Sequence, residues 1–220
     1  MPTTINGGTA EPGLPGVPGG APGNVPGTPR RRGKVLEQAI FQATLDELVA
    51  TGYARLSMEA VAVGARTGKA AIYRRWPSKE ELVLDTLRAT LPEPGPAPDT
   101  GSLRGDLLEL VSRTRAAMLS LPGCAGRVIM SELDHERAAP FVGLMHQRVI
   151  APSTSLMHEV LSRGVLRGEV RADAVNPLIV DVVPAVMLYR AKTHGPPSEA
   201  EAIELVDQVL LPAVRAGLSD

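Results

Sequence analysis

Helical spacing of apolar residues runs through almost the whole sequence and is interrupted only where proline and glycine accumulate. Leu36, Ile40, Ala43 and Leu48, for example, follow one another at helical spacing, and Gly52 then provides a stop. The alternation of apolar and polar residues that is typical of strands is not convincing in any segment. Since only helices are indicated, the sequence predicts an all-α fold.

Two stretches rich in proline and glycine predict the domain boundaries. Residues 1–29 contain seven Pro and eight Gly and little that could form a core, so we expect a disordered leader there. The stretch PEPGPAPDTG at 92–101 predicts a linker. We therefore expect a three-helix module at 30–91 and a larger helical bundle domain at 102–220.

Capping signals predict where the helices of the first module begin and end. Ser57 precedes the short segment MEAVAVGA, and a turn near 66–68 precedes KAAIYRRW. Ser78 and Glu81 have the spacing of a capping box, in which the hydroxyl and the carboxylate satisfy free N–H groups. We therefore expect one helix to end at Pro77 and the next to begin at Ser78.

In the C-terminal half, the helical pattern predicts four further segments. The first runs from Leu103 to Leu121 and ends at Pro122, and a long one runs over 141–167 with a kink at Pro152. The stretch NPLIVDVVPAVMLY is apolar all round, which predicts burial on every side. A second capping box, Ser198 with Glu201, opens a last helix that places Ile203, Val206, Leu210 and Val214 on one face.

The net charge of −1 conceals an uneven distribution of charge. Residues 30–79 carry ten Lys or Arg and four acidic residues, whereas the chain from Glu80 onward carries thirteen basic and nineteen acidic residues. A basic segment on an acidic body predicts a polyanionic partner for that segment alone.

Other function classes find little support in the sequence. No run of 18 apolar residues is present, so we expect no membrane span. Cys124 is the single cysteine, which excludes an internal disulfide and favours a reducing, cytoplasmic setting. The four histidines have no metal-binding spacing and no nucleophile or phosphate-loop motif occurs, so we predict neither an enzyme nor a metal or cofactor.

Within the basic segment, a short helix, a tight turn and a second short helix predict a helix-turn-helix motif. The second helix of such a motif enters the DNA major groove with its N-terminal residues facing base edges. Lys69 can donate to guanine and Ala70 can touch a thymine methyl group, while Tyr73, Arg74 and Lys79 can contact phosphates. The alternative interpretation is a basic helix exposed to solvent.

The sequence LSMEAVAVGARTGKAAIYRRWPSKEEL resembles the DNA-binding region of the TetR family of transcriptional regulators, over about residues 30–91. The resemblance implies phosphate contacts from Ser57, Tyr73 and Lys79 and base contacts near 68–70, with Trp76 packed against the first helix. Together with the motif, it gives a predicted DNA-binding set of Arg30, Arg31, Arg32, Ser57, Thr67, Gly68, Lys69, Ala70, Tyr73, Arg74 and Lys79.

Two features of this region leave alternatives open. The three arginines at 30–32 either enter a minor groove as an arm or form a solvated tail. Arg66 stands where the family usually has glycine in the turn, so the turn either avoids a positive φ there or is strained.

The stretches RGVLRGEVRAD and LYRAKTHGPPSEAEAIELVDQVLLPAV resemble a C-terminal domain of actinobacterial TetR-family members. The resemblance implies an Ω-shaped homodimer in which helices at about 174–192 and 198–216 form an intersubunit four-helix bundle. The predicted interface residues are Val182, Val186, Tyr189, Ile203, Val206, Leu210 and Val214.

The same resemblance implies a ligand cavity and a function. Candidates for the cavity wall are Met118, Met130, Met145 and Met157, although ordinary core positions are the alternative, and the scarcity of aromatic residues favours an apolar, aliphatic ligand. The implied function is a repressor that binds a palindromic operator as a dimer and is released by a small molecule. The alternatives are an activator of the same family and a DNA-binding architectural protein without ligand control.

Overall fold

The computed structural model describes residues 33–215. The predicted leader at 1–29 and the arginines Arg30, Arg31 and Arg32 lie outside the described residues. Over 33–215 the regular elements are helical, and the only strand-like pairing is an isolated antiparallel bridge between Val170 and Arg215. The predicted all-α fold is confirmed.

The first module contains four α-helices, and the described residues that follow it, up to 215, contain seven. The former are α1 (Lys34–Thr51), α2 (Met58–Gly64), α3 (Lys69–Tyr73) and α4 (Lys79–Thr90). The latter are α5 (Leu103–Leu119), α6 (Leu121–Glu132), α7 (His135–Met145), α8 (Ala151–Leu166), α9 (Pro177–Thr193), α10 (Glu199–Glu204) and α11 (Leu211–Val214). A π-helical segment, His146–Ile150, joins α7 to α8, a second, Leu205–Leu210, joins α10 to α11, and a 3₁₀ turn covers Ala172–Ala174.

Serine side chains cap several helices, as the sequence predicts. The Ser57 hydroxyl accepts from the Ala60 N–H at 3.1 Å, and Ser198 forms a complete capping box with Glu201. At Ser78 only half of the box is present, because Glu81 accepts from the Ser78 hydroxyl rather than from its backbone N–H. The predicted start of α4 is confirmed, since the hydroxyl cap alone satisfies a free N–H group.

Three prolines occupy helical positions that the apolar pattern alone does not resolve. Pro122 does not end α5, which stops at Leu119; it lies in the first turn of α6, where a missing N–H is harmless. The predicted irregularity at Pro152 takes the form of the π segment just before it, and Pro212 likewise follows a π segment. A widened turn accommodates a proline ring that would otherwise clash with the carbonyl four residues earlier.

A first hydrophobic core unites the N-terminal module with α6 and α7. Trp76 is buried in this core and packs on Phe41 of α1, with 5.7 Å between the ring centroids. The contact with Phe41 confirms the predicted packing against the first helix. The indole N–H of Trp76 also donates to Asp85 of α4 at 3.0 Å. Ile129 and Phe141, which lie beyond the linker, belong to the same core and are fully buried.

A second core lies between α5, α8, α9 and the C-terminal helices. Helix α9 contributes only one of its faces, through Val180, Val183, Pro184 and Met187. On its other side Leu178 is 81% exposed and Tyr189 is 64% exposed. The expectation that this helix is buried on every side is therefore wrong for a single chain, which has too few helices to surround it.

A buried carboxylate fixes the end of the linker to the second core. Asp106 of α5 is fully buried and accepts from the backbone N–H and the hydroxyl of Thr100, at 2.6 and 2.8 Å. It also accepts from Arg167, at the end of α8, at 2.8 Å. Burial by itself raises the pKa of Asp106, but these hydrogen bonds outweigh it and the pKa is lowered.

None of the helices within 33–215 has the length and apolar character that crossing a membrane requires.

Candidate DNA-binding site

The turn between α2 and α3 has the hydrogen bonds of a Schellman motif. The Thr67 N–H bonds to the Ala62 carbonyl at 2.9 Å, and the Arg66 N–H bonds to the Val63 carbonyl at 3.0 Å. Arg66 occupies the position where such a motif usually has glycine, with φ 55°. Of the two alternatives for this turn, the strained one is therefore correct.

Helix α3 is short and has clearly separate faces. Ile72 is fully buried in the first core and anchors the helix, whereas Lys69, Ala70, Tyr73 and Arg74 are exposed. The predicted base-contacting and phosphate-contacting residues of this helix are thus brought together on one accessible surface. Gly68 and the half-buried Thr67 precede the helix in the turn.

Lys69 forms an ion pair with Glu59, which lies in the first turn of α2. Its ammonium nitrogen also lies 5.3 Å from the centroid of the Tyr73 ring. The hydrogen bond between the two charged groups raises the pKa of Lys69 and lowers the pKa of Glu59. Nothing in the motif pointed to Glu59, because the pairing joins residues ten positions apart on different helices.

The remaining cations of this surface differ in their surroundings. Neither Arg66 nor Arg74 forms an ion pair with any other residue of the described part of the chain, so both are available to phosphates. Arg75 instead lies 3.5 Å from Glu37 of α1 and 6.0 Å from the centroid of the Trp76 ring. It therefore stabilises the packing of α3 on α1.

Lys79 forms contacts within the protein itself. Its ammonium donates to the carbonyls of Tyr53 and Ala54, at 2.9 and 3.2 Å, and lies 4.7 Å from the centroid of the Tyr53 ring. One N–H of the ammonium is left for another acceptor. The Ser57 hydroxyl oxygen accepts from the Ala60 N–H as a helix cap, which leaves its O–H able to donate to another acceptor. Phosphate contacts from Ser57 and Lys79 stay predictions.

The loop that Lys79 holds is also bound from the other side by α6 and α7. The Ala54 N–H donates to the Glu132 carboxylate at 2.9 Å. The Tyr53 ring meets Phe141 edge to face, with 5.5 Å between centroids. The loop over residues 52–54 thus contacts both the helix-turn-helix module, through Lys79, and the helices beyond the linker, through Glu132 and Phe141.

Comparison with known proteins shows which family has this arrangement of helices. The family model for bacterial regulatory proteins of the tetR family matches residues 40–86, and the model for the tetracyclin repressor-like C-terminal domain matches residues 97–209. The chain belongs to the TetR family. It is a helix-turn-helix transcriptional regulator, and the predicted resemblance is confirmed over both domains.

Similar proteins cover most of this TetR-family chain. An HTH-type transcriptional regulator of Mycobacterium tuberculosis H37Rv is 35% identical over 182 residues, which are 81% of this chain and 87% of that protein. The DNA-binding transcriptional repressor TetR of Mycobacteroides abscessus is 33% identical, over 84% of this chain and 97% of that protein.

Solved structures show the same fold. A TetR-family transcriptional regulator from Mesorhizobium loti has a TM-score of 0.63 at 18% identity, covering 84% of this chain and all of that one. The crystal structure of another TetR family regulator has a TM-score of 0.52 at 29% identity, covering 83% of this chain and all of that one.

The methionines predicted to line a ligand cavity in this TetR-family protein do not come together. Met157 is fully buried in the second core, Met118 packs against that core, Met145 packs against the first core, and Met130 is exposed. Two open surface grooves, of about 230 and 250 Å³, include none of the four. A ligand role for these methionines stays a prediction, and a single cavity shared by all four is not what the structure shows.

The structure divides the predicted dimer interface into two sets. Val206, Leu210 and Val214 are buried in the second core of the protomer itself, which corrects their assignment to the interface. The Leu205–Leu210 segment, which carries Val206 and Leu210, packs against α5 of the same chain. Tyr189 and Ile203 are exposed, and Val182 and Val186 are half-buried. The exposed apolar surface also includes Leu178, Leu188 and Val209.

Proposed function

We propose that this protein is a repressor that binds a palindromic operator as a homodimer and is released by a small apolar ligand. The observation that carries the proposal is the surface of α3, where Lys69, Ala70, Tyr73 and Arg74 are exposed beside Arg66. A helix with donors and a small apolar residue at its N-terminus suits base edges in the major groove. Such a protein would act where the chromosome is, in the cytoplasm.

A homodimer is supported by the apolar surface that one chain leaves uncovered. Leu178, Leu188 and Tyr189 on α9 and Val209 in the neighbouring π segment are 45–81% exposed. The 230 Å³ groove beside this surface is lined by Val186, Leu205 and Val209 and, at its polar edge, by Arg190, Glu201 and Glu204. Several large exposed apolar side chains on one helix, bordered by charged residues, are typical of a subunit interface.

Control by a ligand is supported by the way the two parts of the chain share one core. Ile129 of α6 and Phe141 of α7 pack with the helices of the DNA-binding module. A ligand that displaced α6 or α7 would therefore disturb the position of α3. A tenfold loss of operator affinity requires the ligand to favour the released state by about 1.4 kcal/mol.

Selection of binding sites from random duplex DNA tests the proposal. We expect the wild-type protein to select a site with two-fold symmetry, with half-sites about 34–36 Å apart. Lys69→Ala should weaken binding to that site by about 1–3 kcal/mol and relax the preference at one base pair of each half-site. A protein that selects no sequence, or one for which Lys69→Ala binds all duplexes as the wild type does, would contradict the proposal.

The ligand is tested separately, by thermal-shift screening of apolar small molecules followed by titration of the selected operator. We expect a ligand that stabilises the protein to weaken operator binding, and operator DNA to weaken ligand binding by the same factor. If a saturating ligand leaves operator affinity unchanged, the larger domain serves assembly, as in an architectural protein. If it strengthens operator binding, the protein is not a repressor released by ligand.

A further inference from the structure

The ion pair between Glu59 and Lys69 lies where both helices of the helix-turn-helix begin. Glu59 is in the first turn of α2, and Lys69 is the first residue of α3. The two side chains are 54% and 55% exposed, so the pair is open to solvent on the surface that we assign to DNA. An acidic group at that place needs a reason, because DNA phosphates repel it.

The other acidic residues of the basic segment have partners away from this surface. Glu37 faces Arg75, Asp46 accepts from Gln42, and Glu47 accepts from Thr51. All three lie on α1. Among these four acidic residues, Glu59 is therefore the one that pairs with a predicted base-contacting residue, Lys69.

The chemistry of base edges gives a carboxylate in this position a partner. Carboxylates accept from the N4 amino group of cytosine in the major groove, and lysine donates to the O6 and N7 atoms of guanine. In a G·C pair, guanine O6 and cytosine N4 are adjacent, so the edge presents an acceptor beside a donor. An ammonium held beside a carboxylate presents the complementary donor and acceptor.

We propose that Glu59 is a specificity-determining residue, which reads a G·C base pair in each half-site together with Lys69. Glu59 accepts from cytosine N4 while Lys69 donates to guanine. This inference rests on the proposed DNA-binding function and names the base pair that the α2–α3 surface prefers.

The ion pair also accounts for discrimination against other sequences. Lysine has a long flexible side chain and binds phosphates readily as a point charge. Glu59 holds the ammonium near the groove and reduces its attraction to the backbone. Without Glu59, we expect Lys69 to bind phosphates of any sequence, so non-specific affinity should not fall while the preference for G·C does.

The experiment is site selection followed by affinity measurements with the wild-type protein, Glu59→Ala and Glu59→Asp. Aspartate keeps a negative charge in the first turn of α2, where it favours the helix, but its side chain is one methylene shorter, so we expect it not to reach Lys69 and a base at the same time. Asp46→Ala removes an exposed acid of α1 and is the matched control. Thermal denaturation of each variant checks that the fold is kept.

In both Glu59 variants, we expect the ratio of affinities for G·C and for other base pairs at one position of each half-site to fall at least tenfold. Their affinity for non-specific duplex should not decrease. Asp46→Ala should keep the wild-type preference. In the Lys69→Ala background, Glu59→Ala should have little further effect at that position, because the two residues act as one unit.

The outcomes separate this inference from the function on which it rests. If the wild type selects no sequence, the proposed DNA recognition itself fails. If the wild type selects a symmetrical site and Glu59→Ala retains every base preference, only the role of Glu59 is wrong. A preference lost at an A·T pair would overturn the assignment to G·C.

Discussion

At position 66 an arginine adopts the left-handed backbone conformation that glycine usually supplies at the end of a helix. A side chain in that conformation destabilises the folded state by about 1–2 kcal/mol. Replacement by glycine removes this strain, but glycine has more conformational freedom in the unfolded chain, which offsets part of the gain. We therefore expect Arg66→Gly to raise the free energy of unfolding by up to about 1 kcal/mol, measured by denaturant titration.

The matched control for this position is Arg66→Ala, which keeps the backbone strain and should not stabilise the protein. Both variants remove a charge from the DNA-binding surface, so both should reduce the salt dependence of operator binding. Equal stabilities of the glycine and alanine variants would show that the turn is not strained.

The buried carboxylate of Asp106 makes stability depend on pH. Its pKa is lowered in the folded state, so its stabilising contribution is complete above the unfolded value of about 4 and is lost as the pH falls through the lower folded value. We expect Asp106→Asn to cost about 2 kcal/mol at pH 7, because the amide meets Arg167 with a donor instead of an acceptor. Chemical denaturation at several pH values measures both effects.

Between pH 5 and pH 3, the wild type should lose stability faster than Asp106→Asn does. Asp46→Asn, at an exposed site on α1, should follow the wild-type curve and serves as control. Parallel curves for the wild type and Asp106→Asn would mean that the carboxylate titrates alike in the folded and unfolded chains.

At the scale of the elements, the loop after α1 begins at Gly52, and the carboxylate of Glu132 packs directly against this glycine. Gly52 has φ 86°, and a Cβ atom at this position would overlap the carboxylate of Glu132. We expect Gly52→Ala to lower the free energy of unfolding by about 1–2 kcal/mol, chiefly because alanine is strained at this positive φ, since the exposed Glu132 side chain can move aside at the cost of its hydrogen bond to Ala54. The measurement is thermal or chemical denaturation.

A double-mutant cycle separates the two causes at this loop. Glu132→Ala removes the overlap but also the acceptor of the Ala54 N–H, so by itself it should destabilise modestly. In the Glu132→Ala background, Gly52→Ala should cost less than it does in the wild type. Additive effects would rule out the overlap as a cause.

Helix starts and the motif could be predicted from the sequence because their causes are local. Ser57 and Ser198 cap the helices that follow them within three residues. Pro122 misled the prediction because proline suits both the end of one helix and the first turn of the next. The pairing of Glu59 with Lys69 depends on how two helices pack, which a residue pattern does not contain.

For the same reason, the helical pattern of the last segment could not show which neighbour covers its apolar stripe. The helical spacing of Val206 and Leu210 is the same whether their stripe packs in the core of one chain or at an interface between two chains. Their burial against the protomer's own helices, and the exposure of Tyr189, follow only from the three-dimensional arrangement.

At the scale of the whole molecule, this division predicts different results for two kinds of charge substitution. Leu188→Glu and Tyr189→Glu alter exposed residues of α9, so they should dissociate the proposed dimer and leave a folded protomer. Val206→Glu places a charge in the second core and should cost more than about 3 kcal/mol of stability. Light scattering and circular dichroism distinguish the two results.

A monomeric wild type at micromolar concentration would contradict the assigned interface, as would a dimer that tolerates both α9 substitutions. Leu166→Glu, at an exposed apolar residue of α8, is a control that should change neither property.

The shared first core bears on how chimaeric regulators can be assembled from this protein. A junction placed in the stretch 92–101 would separate α1–α4 from Ile129 and Phe141, which complete their core. A foreign ligand-binding domain grafted there would have to supply equivalent side chains, together with a carboxylate in the place of Glu132. Transplantation should succeed more often when α6 and α7 travel with the DNA-binding helices, so the unit of exchange is larger than the sequence boundary indicates.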